Sequence, residues 1–181
     1  CEDLKNTLES LSDHIDKINL FSEYFIQCFS KGNKIILCGN GGSASDSIHI
    51  AAEFVGRFEL ERKSLPALSL ASDISSVTAI ANDFGYEYTF SRQLEGHAKK
   101  GDILVSLSTS GNSKNVIEAV KIAKNLGVIS LSFSGRGGGE LAKISEDCIT
   151  IESDSTARIQ EAHKFILHYI SGCVDRFYHL N

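Results

Sequence analysis

Lys34-Ile35-Ile36-Leu37-Cys38 runs directly into Gly39-Asn40-Gly41-Gly42-Ser43-Ala44, and the reading of this stretch decides the fold. A short apolar run, closed by a glycine-rich turn and followed by a helical pattern over residues 43–56, is what a strand buried on both faces needs together with its crossover helix. The same alternation recurs downstream. Strand-type runs at Ala67–Leu70, Ile103–Leu107, Val128–Phe133 and Cys148–Ile151 are separated by helical patterns at 75–99 (one helix or two), 113–126 and 137–146, and a long helix is predicted over 156–178. Apolar strands alternating with helices predict a parallel sheet covered on both faces, with ligands bound in the crevice at the carboxyl ends of the strands.

Ahead of the first strand, residues 2–30 read as a long helix carrying Leu4, Leu8, Leu11, Ile15, Ile18, Phe25 and Phe29 at steps of three and four. That narrow stripe suits packing on the helix's own domain or on a partner subunit. With 181 residues, a single Pro and no linker or repeat, the chain is expected to form one domain. A net charge of −5 with no Lys/Arg cluster argues against a nucleic-acid partner. No apolar run approaches the roughly 20 residues of a membrane span, and no signal-peptide pattern is read at the start. Cys1, Cys28, Cys38, Cys148 and Cys173 are odd in number, widely spaced and without a C-x-x-C pair, which fits reduced and mostly buried thiols.

Two strand-to-helix turns invite chemistry. The third strand runs into Ser108-Thr109-Ser110-Gly111-Asn112-Ser113, whose four hydroxyls and glycine lie at a helix N-terminus, where free N–H groups and the helix dipole favour an anion such as phosphate. A single hydroxyl would satisfy the alternative role of an N-cap. No Lys-Ser/Thr pair follows, which excludes a nucleotide P-loop. The turn after the first strand matches G-x-G-x-x-A, but the acidic partner of a dinucleotide site is missing at its usual spacing, since Asp73 comes too late. Its glycines are better explained by close approach of the backbone to a ligand, with Asn40 and Ser43 offering polar contacts. Gly137-Gly138-Gly139 reads as a flexible turn without chemistry.

His49 and Glu53, at i and i+4, project from one helix face and form either a metal-ligand pair or a carboxylate base beside an imidazole. A surface ion pair is the plainer alternative. On the last helix, about 100° per residue puts Gln160 roughly 80° from His168 and Glu161 only about 20° from it. Geometry alone therefore prefers Glu161 as the companion of His168. His163, about 140° away, falls on another face and is expected at a subunit contact.

Together, Cys38–Ala44, the His49/Glu53 pair, Ala81-Asn82-Asp83-Phe84-Gly85-Tyr86, Ser108–Ser113 and Ala157-Arg158-Ile159-Gln160-Glu161 resemble the phosphoheptose isomerases of the sugar-isomerase (SIS) fold, in order and over nearly the whole chain. The resemblance implies a flavodoxin-like three-layer α/β/α sandwich with a five-stranded parallel sheet. It further implies a single SIS domain over 1–181, whose residues 1–30 serve as an oligomerisation helix, and a cytoplasmic homotetramer with active sites between subunits. The implied reaction converts D-sedoheptulose 7-phosphate to D-glycero-D-manno-heptose 7-phosphate through an enediol, as heptose precursor supply for a surface polysaccharide such as lipopolysaccharide or capsule.

Carried over by position, the family's substrate contacts fall on Asn40, Gly41, Gly42, Glu53, Asn82, Asp83, Ser108, Thr109, Ser110, Ser113 and Gln160. Its metal positions fall on His49, Glu53, Gln160 and His168, with zinc, one per subunit, as the implied metal. Glu53 is the implied base and His168 its acid/base partner. Gln160 is thus preferred to Glu161 by resemblance, against the helical wheel. Some relatives carry an acidic residue where Ala157 stands, so that carboxylate is missing here. The rival reading is a non-catalytic interaction protein, like the SIS-fold paralogue that binds the bacterial replication initiator; Glu53 and His168 together favour the enzyme. A regulatory sugar-phosphate-binding domain is less fitting, because no DNA-binding module accompanies it.

Overall fold

The computed structural model describes residues 2–180. In chain order the elements are α1 (Glu2–Glu9), a 3-10 turn (Ser10–His14), α2 (Ile15–Ser30), β1 (Ile35–Gly39), α3 (Gly42–Val55), β2 (Ala67–Ser69) and α4 (Ile74–Phe84). There follow a second 3-10 turn (Tyr86–Tyr88), α5 (Thr89–His97), β3 (Ile103–Ser108), α6 (Lys114–Leu126), β4 (Ile129–Gly135), α7 (Leu141–Ile144), β5 (Asp147–Ile151) and α8 (Thr156–Leu180). All five expected strands are present. The long N-terminal helix is present too, tightened to 3-10 geometry in its middle. The helix expected over 75–99 is two, parted at Gly85, where φ is +107°. The helix expected over 137–146 shrinks to α7, because Gly137, Gly138 and Gly139 all take positive φ, which a right-handed helix cannot include.

The strands pair in parallel in the order β2-β1-β3-β4-β5. Side chains alternate across the sheet as the pleat demands. Ile35, Leu37, Ile103, Val105, Leu131 and Phe133 enter one core with α2, α3 and α8, whereas Ile36, Cys38 and Leu104 enter a second with α5 and α6. Burial on both faces is why β1 is an unbroken apolar run, and the serines that alternate along β4, Ser130, Ser132 and Ser134, are themselves buried. The result is the three-layer sandwich expected from sequence.

Ile18, Phe21, Phe25 and Phe29 of α2 are buried in the first core. Phe21 meets Phe133 edge-on at 5.5 Å, and Phe25 and Phe29 meet Phe54 at 5.7 and 5.4 Å. This half of the apolar stripe packs on its own domain. Ile15 and Leu20, about 45% and 41% exposed, face outward.

Cys28 and Cys38 are buried free thiols, while Cys148 and Cys173 are half-buried; Cys1 lies outside the described residues. Burial pushes the Cys28 and Cys38 thiols up to about 12, helped at Cys28 by the nearby Asp102 charge. They stay protonated and inert at neutral pH.

His163 is not the subunit contact expected of it. It is buried, its Nε2 donates to the Ser134 carbonyl at 3.0 Å, and its ring packs against Phe133 at 5.7 Å. Nδ1 has no partner, so the imidazole is neutral with its proton on Nε2. Burial pushes its pKa down to about 4, against the opposing pull of the Ser134 carbonyl and the Asp46 charge. An unfolded His takes up a proton near pH 6.5, which the folded one refuses until about pH 4, so stability is lost as pH falls through that window. The shift corresponds to about 3 kcal/mol at full effect. The variant His163→Gln, which can still donate to Ser134 but does not titrate, should show a correspondingly flatter fall in unfolding free energy between pH 6.5 and 4. Equal slopes in denaturant titrations of the two proteins would refute this.

Candidate active site

β1 and β3 are neighbours and end level, with Cys38 beside Ser106 and Gly39 beside Leu107. After them the chain departs in opposite directions, α3 to the first core and α6 to the second. That divergence is the switch point where parallel sheets open a crevice. Asn40 and Asn115 bridge it through a mutual pair of amide hydrogen bonds of 2.8 and 2.9 Å. Asn40 Oδ1 also accepts from the Tyr86 hydroxyl at 2.8 Å, and Asn115 Nδ2 donates to Thr89 Oγ1 at 3.3 Å. Asn40 is therefore fixed from two sides. Neither Asn115 nor Thr89 is conspicuous in sequence, because their role appears only when two distant loops meet.

In the glycine-rich turn, Gly42 explains itself. A Cβ there would lie 2.7 Å from the Gln160 carboxamide, so any larger residue would drive Gln160 away. Gln160 faces this turn, whereas the exposed Glu161 bonds Arg158 at 2.6 Å. Ala157, Gln160, Glu161, Asp46 and Lys164 line a hollow of about 310 Å³ beside Gly42. The Arg158 ion pair engages the Glu161 carboxylate, although Glu161 borders the same hollow as Gln160.

The loop after β3 uses its hydroxyls in an informative way. Ser113 occupies the N-cap position of α6 without capping it; its hydroxyl instead meets that of the buried Ser108 at 2.9 Å. Asn112 N–H donates to Ser110 Oγ at 3.2 Å. The capping alternative thus does not account for these groups. Gly137-Gly138-Gly139, read from sequence as a flexible turn without chemistry, backs this loop. A Cβ on Gly111 (φ +65°) would sit 2.0 Å from the Gly138 carbonyl oxygen, and Leu141 N–H donates to the Gly111 carbonyl at 2.9 Å. Asn82 and Asp83 lie on the exposed last turn of α4, bonded to one another at 2.8 Å.

α3 and α8 run side by side and parallel. Gly42 lies against Gln160, Asp46 pairs with Lys164 at 2.7 Å, and the rings of His49 and His168 stand 5.1 Å apart. His49 Nε2 meets Glu53 Oε1 at 2.7 Å. One donor atom from each of His49, Glu53 and His168 falls within 4.8 Å of the others. His168 Nε2 is buried without a partner. Burial, then the neighbouring His49, lowers the pKa of His168 below that of an ordinary imidazole. Phe58, not anticipated from sequence, stacks on the His168 ring at 5.2 Å and 23°. Gln160 is two turns, roughly 12 Å of helix, from His168, so the structure gathers three of the four expected metal positions and sets the fourth beside Gly42.

Comparison with known proteins agrees with this geometry. Residues 1–135 match the SIS domain model. The chain is 48% identical over 182 residues to the phosphoheptose isomerase of Helicobacter pylori (strain P12), covering 99% of this chain and 93% of that protein. Among solved structures, the phosphoheptose isomerase GmhA of Neisseria gonorrhoeae superposes with a TM-score of 0.90 at 38% identity, covering 97% and 94% of the two chains. That of Francisella tularensis gives 0.85 at 32%, covering 88% and 85%. Matches of this extent on a shared five-stranded parallel sheet mean that the chain belongs to the SIS-domain family of phosphoheptose isomerases.

Proposed function

We propose that the chain isomerises D-sedoheptulose 7-phosphate to D-glycero-D-manno-heptose 7-phosphate in the cytoplasm, supplying heptose for a surface polysaccharide. The observation that carries the reading is the convergence of Glu53 and His168 from separate helices, with a buried, partnerless imidazole nitrogen at the same place. Names of close relatives supply the substrate. Among the described residues no helix is long and apolar enough to cross a membrane, as a cytoplasmic enzyme requires.

Moving a proton between C1 and C2 needs a base over the carbon and an acid/base group near the two oxygens. Glu53 is the base, and its bond to His49 orients the carboxylate. His168, its pKa held down by burial, is largely neutral at pH 7 and exchanges protons with the oxygens. The donor set His49, Glu53 and His168 is of the two-imidazole, one-carboxylate kind that binds catalytic zinc, and we assign zinc to it, one per subunit. Zinc held through one donor atom of each residue would polarise the substrate carbonyl and would leave the second Glu53 oxygen and the second His168 nitrogen for proton transfer. A ligand role for Gln160 needs its carboxamide to turn along α8 away from Gly42, where it otherwise meets substrate.

Ser108, Thr109, Ser110 and Ser113 bind the phosphate, with the backbone of Asn40, Gly41 and Gly42 closing the crevice and Asn82 and Asp83 reaching the sugar. The distances favour a site shared between subunits. Glu53 lies three turns, about 16 Å, along α3 from Gly42, and the phosphate loop leaves the same carboxyl end of the sheet as Gly42. A seven-carbon sugar phosphate spans roughly 10 Å at about 1.5 Å per bond, shorter than that rise, which favours a second chain supplying one end. The helix α4 buries none of its residues, leaving Ile74 70% and Phe84 50% exposed, and a second copy of the chain would cover it. We therefore propose a homotetramer.

Glu53→Gln and His168→Gln should each lower kcat on sedoheptulose 7-phosphate by about 10²–10⁴ without unfolding the protein. Activity within a few-fold of the parent in either variant would remove that residue from the mechanism, and metal analysis of the same samples tests zinc: an intact parent without zinc would overturn the ligand assignment. The double change Ser110→Ala with Ser113→Ala should raise KM far more than it lowers kcat, since each lost hydrogen bond to a charged group costs roughly 1.5–3 kcal/mol; an unchanged KM would place the phosphate elsewhere. Sedimentation at micromolar concentration should give a tetramer, and a monomer alone would defeat the shared site.

A further inference from the structure

Below the acid/base cluster lies a second polar assembly that the mechanism above does not use. Arg62 Nε and Asp175 Oδ1 meet at 2.8 Å with side chains 0% and 1% exposed. Asp175 Oδ2 accepts from three successive backbone N–H groups, those of Phe58 (3.2 Å), Glu59 (2.8 Å) and Leu60 (3.0 Å). The Arg62 guanidinium donates to the carbonyls of Glu53 and Phe54, at 2.7 Å each. Those carbonyls belong to the last turn of α3, where helical N–H partners run out.

The assembly therefore does two things at once. It closes the turn of α3 that carries Glu53, and it folds the next segment so that Phe58 lies flat on His168, at 5.2 Å and 23°. The other neighbour of the imidazole is the edge of His49, at 5.1 Å and 68°. His168 thus stands between an aromatic edge carried by α3 itself and an aromatic face tied to the end of α3 through Asp175 and Arg62. A buried ion pair is a weak device for stability, since well-packed apolar residues often serve as well. As a device for holding one ring at a fixed place it is well suited, because both its carboxylate oxygens and its guanidinium fork have defined directions.

We infer that Phe58 is a positioning residue for the isomerisation: its ring, anchored through Asp175, sets the plane of the His168 imidazole relative to Glu53. The inference rests on the reading of Glu53 and His168 as the proton-transfer pair. A misplacement of about 1 Å at a reacting group is enough to cost large factors in rate, while substrate binding through the distant hydroxyl loop is untouched.

The experiment compares Phe58→Leu with Phe58→Tyr in the full chain, by steady-state kinetics on sedoheptulose 7-phosphate and by thermal melting. Leu keeps apolar bulk but not a flat ring; Tyr keeps the ring. Phe58→Leu should lower kcat about tenfold or more, with KM and melting temperature close to those of the parent, and Phe58→Tyr should recover most of the lost kcat. A Leu variant with parental kcat, a Tyr variant no better than Leu, or an effect confined to KM would each overturn the inference. Parallel assays of Glu53→Gln and His168→Gln separate the two failures. If those retain activity, the proton-transfer assignment falls; if they lose it while Phe58→Leu does not, only the positioning role falls.

Discussion

The parallel packing of α3 against α8 is the contact on which the geometry of the candidate site depends. Both helices follow strands of one sheet and lie on the same face of it, sharing a core through Ile50, Phe54, Ile159, Ile166 and Ile170. Because both rise 1.5 Å per residue in the same direction, contacts recur in step along the seam. Gly42 meets Gln160, Asp46 meets Lys164, and His49 meets His168. Farther along, Asp175 receives Arg62 from the segment that leaves α3. A slip of one residue in this register would break every pair together. The buried apolar seam holds the helices at one distance, and the polar pairs specify which residues face each other.

That geometry also separates tasks. The hydroxyls and glycines that suit an anion collect where strands end, since that is where the chain must turn and where helix N-termini expose free N–H groups. Groups that need burial and a fixed neighbour, such as His168, fare better in the middle of a helix pair than on a turn. The cost is distance within one chain, while Ile74 and Phe84 of α4 and Tyr86 and Tyr88 of the 3-10 turn that follows it face outward.

Much of this was legible in the residues. The apolar strands announced a doubly covered sheet, since only burial on both faces tolerates runs such as Ile35-Ile36-Leu37. The four hydroxyls after β3 exceeded what a cap uses, and Ser113 indeed leaves the cap position unserved. The pairing of His49 with Glu53 followed from helical periodicity alone. What could not be read depended on partners far away in sequence. Phe58 looks like any aromatic in a loop until Asp175, 117 positions later, turns it onto His168. Gly138 looks like a flexible link until Gly111 is found against its carbonyl. His163 was misjudged because the helical wheel gives direction without saying what waits there, and Phe133 with the Ser134 carbonyl made that direction a core.

Glu161 shows the same limit from the opposite side. By angle it stands nearer His168 than Gln160 does, yet angle ignores rise: eight residues of α8, or roughly 12 Å, separate Gln160 from His168, and seven separate Glu161 from it by nearly as much. Neither is brought to His168 by the helix itself. What distinguishes them is the neighbour each finds. Arg158 engages the Glu161 carboxylate in an exposed pair, where it gains charge compensation without desolvation. Gln160, uncharged, can sit against the Gly42 backbone at little cost, where an ionised carboxylate would have to shed water. A neutral amide beside the glycine-rich turn adds no charge to a hollow already lined by Asp46, Glu161 and Lys164.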